Sequence, residues 1–319
     1  MSETRSAPPK ITIVLAFLSV YFCWSATYTA MRVGVSLLPA TVLAGVRLLI
    51  GAGLMLAFCA LRGKRLFYVR GVMRRLMLLG VMLLFGGNIG LVWSEKYLPS
   101  GLAALIVAVV PLYVVLIEMA LPNGDRLRRQ GYIGLGLGFC ALVALLWPSL
   151  RSGIDGHPMQ VLAIGAILAG AFSWASGSVL SRRMNLPVDP LVAAGWEMFA
   201  AGATNVVFAT LFWQWPHAVW NWTSIGCIGY LVLFGSLLGF SCYIWLIAHV
   251  PVAKVATYAY VNPLIAVVLG ALILHEKLVS TEYVGMVAIL VAVALVTSSK
   301  LSSGKSAAEV ECAPVESEA

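Results

Sequence analysis

The sequence predicts an all-α polytopic membrane protein of ten transmembrane helices, arranged as two inverted five-helix repeats. Three observations carry that reading. Of 319 residues, 61% are hydrophobic and only 11% charged, with a mean hydropathy of +0.94, whereas a soluble domain carries about 25% charge. The apolar residues fall in runs of about 20, the length that crosses a bilayer. The two halves of the chain also resemble each other at a shift of about 150 residues, the kind of self-similarity that marks a repeat.

In chain order the apolar runs of the first half are Ile11–Met31, Pro39–Leu61, Leu76–Trp93, Leu98–Leu121 and Gly131–Trp147. Those of the second half are Met159–Leu180, Val188–Trp213, Thr223–Ala248, Pro251–Leu274 and Thr281–Ser299. The first run is too long for the core of a signal peptide, and the start MSETRSAPPK lacks a strongly basic flank, so the run is expected to stay as the first helix. Residues 1–10 are then a short cytoplasmic segment, 11–147 and 159–299 the two repeats, and 300–319 a disordered cytoplasmic tail carrying Glu309, Glu311, Glu316 and Glu318.

A net charge of +8 would point to nucleic acid in a soluble protein, but here the basic residues sit in gaps between apolar runs, and no nucleic-acid partner is expected. Of the 21 Lys and Arg, Arg47 lies inside a helix and Arg32, Lys96, Arg151 and Lys277 fall on one side; the remaining sixteen fall on the other. The excess of Lys and Arg marks the cytoplasmic side, which places both termini in the cytoplasm of an inner or plasma membrane. Cys23, Cys59, Cys140, Cys227 and Cys242 sit in apolar runs and read as small hydrophobes. The four histidines form no metal-ligand spacing, so no metal and no cofactor are expected.

The repeat is collinear. Phe22 and Trp24 answer Phe172 and Trp174; Ala44, Gly45 and Arg47 answer Ala194, Gly195 and Glu197; Gly86 and Gly90 answer Gly235 and Gly239; Pro99 and Pro111 answer Pro251 and Pro263. Five helices per repeat is an odd number, so the second half enters the membrane from the opposite side. Two similar halves in opposite orientations can exchange inward-open and outward-open conformations around a site near the midplane.

The segments WSATYTAMRVG (Trp24 to Gly34), LPATVLAGVRLL (Leu38 to Leu49), LPSGLAALIVAVVPLY (Leu98 to Tyr113) and AYVNPLIAVVLGALILHEKL (Ala259 to Leu278) resemble the drug/metabolite transporter superfamily, and within it the ten-helix EamA-type permeases. The resemblance spans Ile11 to Ser299. It departs at LPNGDRL after the fourth run, where the HEKL turn at Glu276 keeps the usual pattern better. It implies a transmembrane transporter of small molecules and makes Glu276 a structural turn residue.

Charge within a membrane segment is costly, which makes Arg47 and Glu197 the foremost candidates for substrate binding or coupling. The pair could neutralise the two ends of a zwitterion, Glu197 could exchange a proton, or the two could form an ion pair that only stabilises the fold. Glu118 lies near enough to the end of its helix to reach the interface. Trp24, Tyr28, Asn88, Trp174, Tyr258 and Asn262 complete the candidate pocket, with Ser25, Trp93, Ser178, Asn205 and Tyr260 beside them. Trp213, Trp215, Trp220 and Trp222 look like an interfacial belt. Gly86-x-x-x-Gly90 and Gly235-x-x-x-Gly239 permit close helix approach, inside the chain or in a dimer, so a monomer and a homodimer both stay open. Pro111 and Pro263 are expected to kink their helices.

A secondary transporter exporting a small metabolite such as an amino acid accounts for these features best. Efflux of lipophilic cations or drugs is the alternative, with Glu197 as the cavity's acidic group. A non-transporting scaffold ranks lower, and so does an enzyme, for which the sequence shows no titratable cluster. The expected partners are a small-molecule substrate and the lipid bilayer.

Overall fold

The structure, a computed structural model, describes residues 9–122, 129–154, 157–256 and 258–276, together with 283–284, 286–288, 290–292 and 295. Most of the expected tenth helix, Lys277, Arg126, Arg128, the tail from 300 and nearly all of the N-terminal segment therefore lie outside the described residues, as does the side chain of Tyr260.

Every described element is helical. Seven helices are long and apolar enough to span a membrane: α1 (Lys10–Leu37), α2 (Ala40–Leu61), α3 (Arg70–Ser94), α4 (Ser100–Ala120), α6 (Pro158–Met184), α7 (Pro190–Leu211) and α8 (Trp222–His249). Two shorter apolar stretches complete nine: α5 (Arg129–Ile154), apolar over Gly131–Trp147, and α9 (Tyr258–Leu274). The described residues of 283–295 are helical and belong to the tenth. Several helices outrun their apolar segments, α1 through Arg32 to Leu37 and α3 back to Arg70. A charge ends a run of hydrophobic residues without ending the backbone hydrogen bonds, and Arg is a good helix former.

Local chemistry sets the ends. Asp189 caps α7 by accepting from the N–H groups of Leu191 (3.0 Å) and Val192 (3.4 Å), with Pro190 at the first helical position. Asn221 and Ser224 cap α8 reciprocally, each backbone N–H donating to the other side chain at 2.9 Å. Asn185 closes α6 in the left-handed region at φ 39°. Pro111 has no N–H for the carbonyl of Val107, and α4 accordingly divides into Ser100–Val107 and Val110–Ala120. Pro263 lies inside α9.

The halves interlock. Helix α1 packs against α8 and α9 of the other repeat, and its counterpart α6 packs against α3 and α4. At the centre α2 crosses α7 antiparallel. A Cβ at Gly45 would lie 3.0 Å from Val206 and 3.3 Å from Asn205, and one at Gly195 would lie 2.7 Å from Leu56 and 3.5 Å from Met55. These are the same contact read from each repeat. The paired glycines of α3 and α8 serve internal packing too: Gly86 meets Ser173, Gly90 meets the carbonyl of Ala166, and Gly239 meets the Trp24 ring. Both α3 and α8 contain a π-helical stretch, Val81–Gly86 and Leu231–Phe240, at repeat-related places. Such irregularities cluster at functional sites.

Outward-facing apolar residues coat the bundle, among them Ile11, Phe22, Phe58, Phe172 and Val207, as lipid requires. Trp213, Trp220 and Trp222 are exposed at one end, in keeping with an interfacial belt. Replacing Gly90 by Ala should destabilise the protein by about 1–3 kcal/mol through overpacking. Gly53→Ala, where nothing lies within 4 Å of the new methyl, should be neutral or stabilise by up to about 1 kcal/mol. Thermal unfolding in detergent micelles checks both.

Candidate functional site

Two tryptophans and two tyrosines from the two repeats converge at the centre of the bundle. Trp24 on α1 and Trp174 on α6, placed alike by the repeat, meet edge to face with ring centroids 5.5 Å apart. Tyr243 on α8 lies 5.0 Å from Trp24 and 5.2 Å from Trp174, and Tyr258 on α9 lies 5.1 Å from Trp24. Glycines make the room: Gly235 and Gly239 beside Trp24, and Gly87, where a Cβ would come within 2.9 Å of the Trp174 ring.

Hydrogen bonds fix this aromatic cluster. Trp24 Nε1 donates to the Gly235 carbonyl at 3.1 Å. Trp174 Nε1 donates to Tyr243 Oη at 2.8 Å, and Tyr243 Oη shares a 2.7 Å bond with Ser178 Oγ, which also reaches the Trp174 carbonyl. Each indole N–H thus has a partner in a medium that penalises orphans heavily.

Beside the cluster lies a narrow cavity of about 70 Å³. A volume of that size holds a few water molecules. Trp24, Tyr28, Arg47, Asn88, Trp174 and Tyr258 line it, six of the eight residues singled out from the sequence. Thr27, Ser236 and Phe240 line it as well, together with aliphatic groups of α4 and α6.

Arg47 supplies the charge of the cavity. It is 5% exposed, and one terminal nitrogen donates to Asn88 Oδ1 on α3. Its Nε has no partner, and it forms no ion pair with a described carboxylate. A buried guanidinium with an unpartnered Nε–H beside an aromatic wall can receive an anion, and its planar fork matches a carboxylate.

The other two sequence candidates sit elsewhere. Asn262 is buried and ties α9 to α1: its amide nitrogen reaches the carbonyls of Tyr21 and Tyr258, each at 3.2 Å, and its side chain contacts Ser25 Oγ at 3.3 Å. Glu197 is buried on α7 but lines a second pocket, with Arg182, Ser181, Asn185 and Ile247, toward the end of the bundle that carries Arg62, Lys64 and Arg65. Its Oε2 has no hydrogen-bond partner. Arg47 and Glu197 form no ion pair with each other, so the reading of the two as a structural salt bridge does not hold. Among the secondary candidates, Ser178 supports the aromatic cluster, Asn205 donates to the Ala201 carbonyl at 2.9 Å, and Glu118 forms an ion pair with Arg183 at 2.9 Å near the bundle end.

Sequence reasoning missed Tyr243, the hub of the cluster, and Glu95, which lies just past the end of α3 and is fully buried. Length alone put Glu95 in a turn, because a rule counting apolar residues stops at Trp93. Tyr243 carried a weak signal, since it lies eight residues past Gly235 on the same helix and so about two turns from the glycine under Trp24.

The EamA-like transporter family matches this chain twice, over residues 11–147 and 161–298. The Escherichia coli K12 protein called uncharacterized inner membrane transporter YedA is 35% identical over 287 residues, 89% of this chain and 90% of that protein. The probable amino-acid metabolite efflux pump of the same organism is 22% identical over 295 residues, 87% of this chain and 91% of that protein. A solved crystal structure, 21% identical, superposes with a TM-score of 0.64 over 90% of this chain and 96% of its own and shares the fold.

The cluster makes a stability prediction that needs no substrate. Tyr243→Phe removes the oxygen that Trp174 Nε1 and Ser178 use, which should cost about 1–3 kcal/mol. It should also change the intrinsic tryptophan fluorescence. A variant unfolding at the same temperature with the same spectrum would show that the hydroxyl is not bonded as described.

Proposed function

The chain belongs to the EamA-like transporter family, and on that premise we propose that it is a secondary transporter exporting a small, carboxylate-bearing metabolite such as an amino acid by alternating access. That it is a multi-pass membrane transporter follows from the family and from its apolar helices. Substrate class, direction and site residues are the proposed part.

The single observation behind the substrate class is Arg47, a buried cation in the central cavity with an unpartnered N–H and no ion pair with a described carboxylate. Leaving it so in a low-dielectric interior costs free energy that an incoming anion would recover. In this reading Arg47 and Asn88 hold the substrate carboxylate, and Trp24, Tyr28, Trp174 and Tyr258 receive the rest of the molecule. Asn262 positions α9 against α1, and Glu197 acts at the basic end rather than on the substrate. Export is supported by the name of the relative that is 22% identical. Efflux of lipophilic cations needs an acidic group in the cavity, and Glu197 does not line it.

We place the protein in the inner or plasma membrane, with residues 11–147 and 159–299 as the two repeats and both termini cytoplasmic. The support is the concentration of Lys and Arg at one end, and a relative named as an inner membrane transporter. Purified protein in liposomes should move labelled amino acids in preference to sugar phosphates and cationic dyes. Arg47→Gln should lower that flux about 10- to 100-fold, the equivalent of one charged hydrogen bond of about 1.5–3 kcal/mol. Cationic dye flux that survives Arg47→Gln, with no amino acid flux in the parent protein, would overturn the reading.

A further inference from the structure

The central cavity leaves one buried carboxyl, that of Glu95, unexplained. Glu95 follows α3 at the end of the bundle opposite the basic loops; it has no exposed surface, and neither carboxylate oxygen has a hydrogen-bond partner. An ionised carboxylate in that condition is costly enough that a proton is taken up instead.

The charged and titratable groups around Glu95 come from three elements. Arg32 and Tyr28 are on α1, Arg47 is on α2, and Glu276 follows α9; all four lie within electrostatic reach of it. Its chain neighbour Lys96 is exposed. Neither arginine within reach pairs with it: Arg32 Nε lies 3.8 Å from Glu276 Oε1, and Arg47 donates to Asn88 Oδ1. Glu276 in turn caps α4, accepting from the Ser100 N–H at 3.0 Å, Ser100 Oγ at 2.7 Å and the Gly101 N–H at 3.4 Å. Glu276 thereby staples the start of α4 to α1, with Glu95 buried nearby and in no ion pair among the described residues.

We propose that Glu95 is the proton-binding site of the transport cycle, holding a proton while the Glu276 end of the bundle is closed and losing it when that end opens to water. Burial pushes the Glu95 carboxyl well above the usual carboxylate range; the Arg32 charge opposes this, and the Glu276 carboxylate adds to it. Opening hydrates Glu95 and frees Arg32 to pair with it. The closed arrangement therefore binds more protons than the open one, and acid favours closure of this end. Tyr28 and Arg47 both line the central cavity and both feel Glu95, which gives the proton a direct electrostatic link to the substrate site. The inference rests on the transport reading for its place in a cycle, but the proton itself can be detected without any substrate.

The test uses the full-length protein in lipid nanodiscs, titrated from mildly acidic to mildly alkaline pH and followed by infrared difference spectroscopy, with the proton as the only ligand. A carbonyl stretch from an unbonded carboxylic acid should persist at neutral pH, with a component that Glu95→Gln removes and Glu197→Gln leaves in place. In Glu276→Gln, which removes a neighbouring negative charge and frees Arg32, the same band should titrate at lower pH. That variant keeps the test alive if Glu95→Gln does not fold. In a background lacking the native cysteines, spin labels at Ser36→Cys and Leu272→Cys should separate as pH rises, and Glu95→Gln should hold them together throughout. A band insensitive to Glu95→Gln, one lost instead with Glu197→Gln, a midpoint unmoved by Glu276→Gln, or labels that still separate in Glu95→Gln would each overturn the proposal. Absence of transport with every band and distance as expected would count against the function and leave the proton site standing.

Discussion

The antiparallel crossing of α2 and α7 is the contact on which the rest of the bundle depends. Gly45 admits Asn205 and Val206, and its repeat counterpart Gly195 admits Met55 and Leu56. Lipid tails are as apolar as leucine, so helices in a bilayer gain little from burying hydrophobic surface against each other. They gain from van der Waals contact at close range, which small residues permit. Because the two glycines are related by the repeat, one crossing holds two inverted halves in register. Helices α1 and α6 can then reach across into the opposite repeat, and only through that exchange do Trp24 and Trp174 meet.

The repeat is symmetric in backbone and not in charge, and the chemistry lives in that difference. Arg47 and Glu197 occupy equivalent positions, yet Arg47 projects into the central cavity and Glu197 into a pocket nearer the basic end. A symmetric pair of cations would repel across the cavity, and a facing ion pair would satisfy itself and leave nothing for a ligand. Separating the two leaves one guanidinium available in an aromatic enclosure. Asn88 orients it without neutralising it, since an amide oxygen accepts a hydrogen bond but carries no charge.

Much of this was legible in the sequence, because lipid imposes rules that composition obeys. A span needs about 20 apolar residues and an internally bonded backbone, so the helices could be counted, and the repeat paired Trp24 with Trp174 before any coordinates. Which side of a helix faces the cavity was not legible. Arg47 and Asn88 could be named but not joined, Asn262 could be named but not its bridge from α9 to α1, and Tyr243 has no charge to betray it. Glu95 was lost for a different reason. Hydropathy treats a carboxylate after the last apolar residue as solvated, whereas Glu95 is fully buried. Helix ends shielded by other helix ends are tertiary facts, and a one-dimensional count cannot see them.

The same asymmetry governs the two ends of the bundle. Arg32 lies in the last third of α1 and Arg182, its repeat counterpart, in the last turn of α6, but they engage different chemistry. Arg182 donates to the carbonyls of Ile247 and Ala248 at 3.0 Å each, at the last turn of α8, where the helix dipole favours a cation. Those acceptors do not titrate. Arg32 faces Glu276, which holds the start of α4, with Glu95 buried nearby. Breaking the Arg182 contacts costs two hydrogen bonds at any pH. On the proton-site proposal, breaking the Arg32 contact accompanies exposure of the Glu95 carboxyl to water, so its cost depends on how many protons are bound. Two inverted halves with identical ends would have inward-open and outward-open states of equal energy, and nothing to bias one over the other. On the proton-site proposal, Glu95 and Glu276 would make the balance between those states responsive to pH at one end, with Glu197, buried beside Arg182, the titratable group at the other.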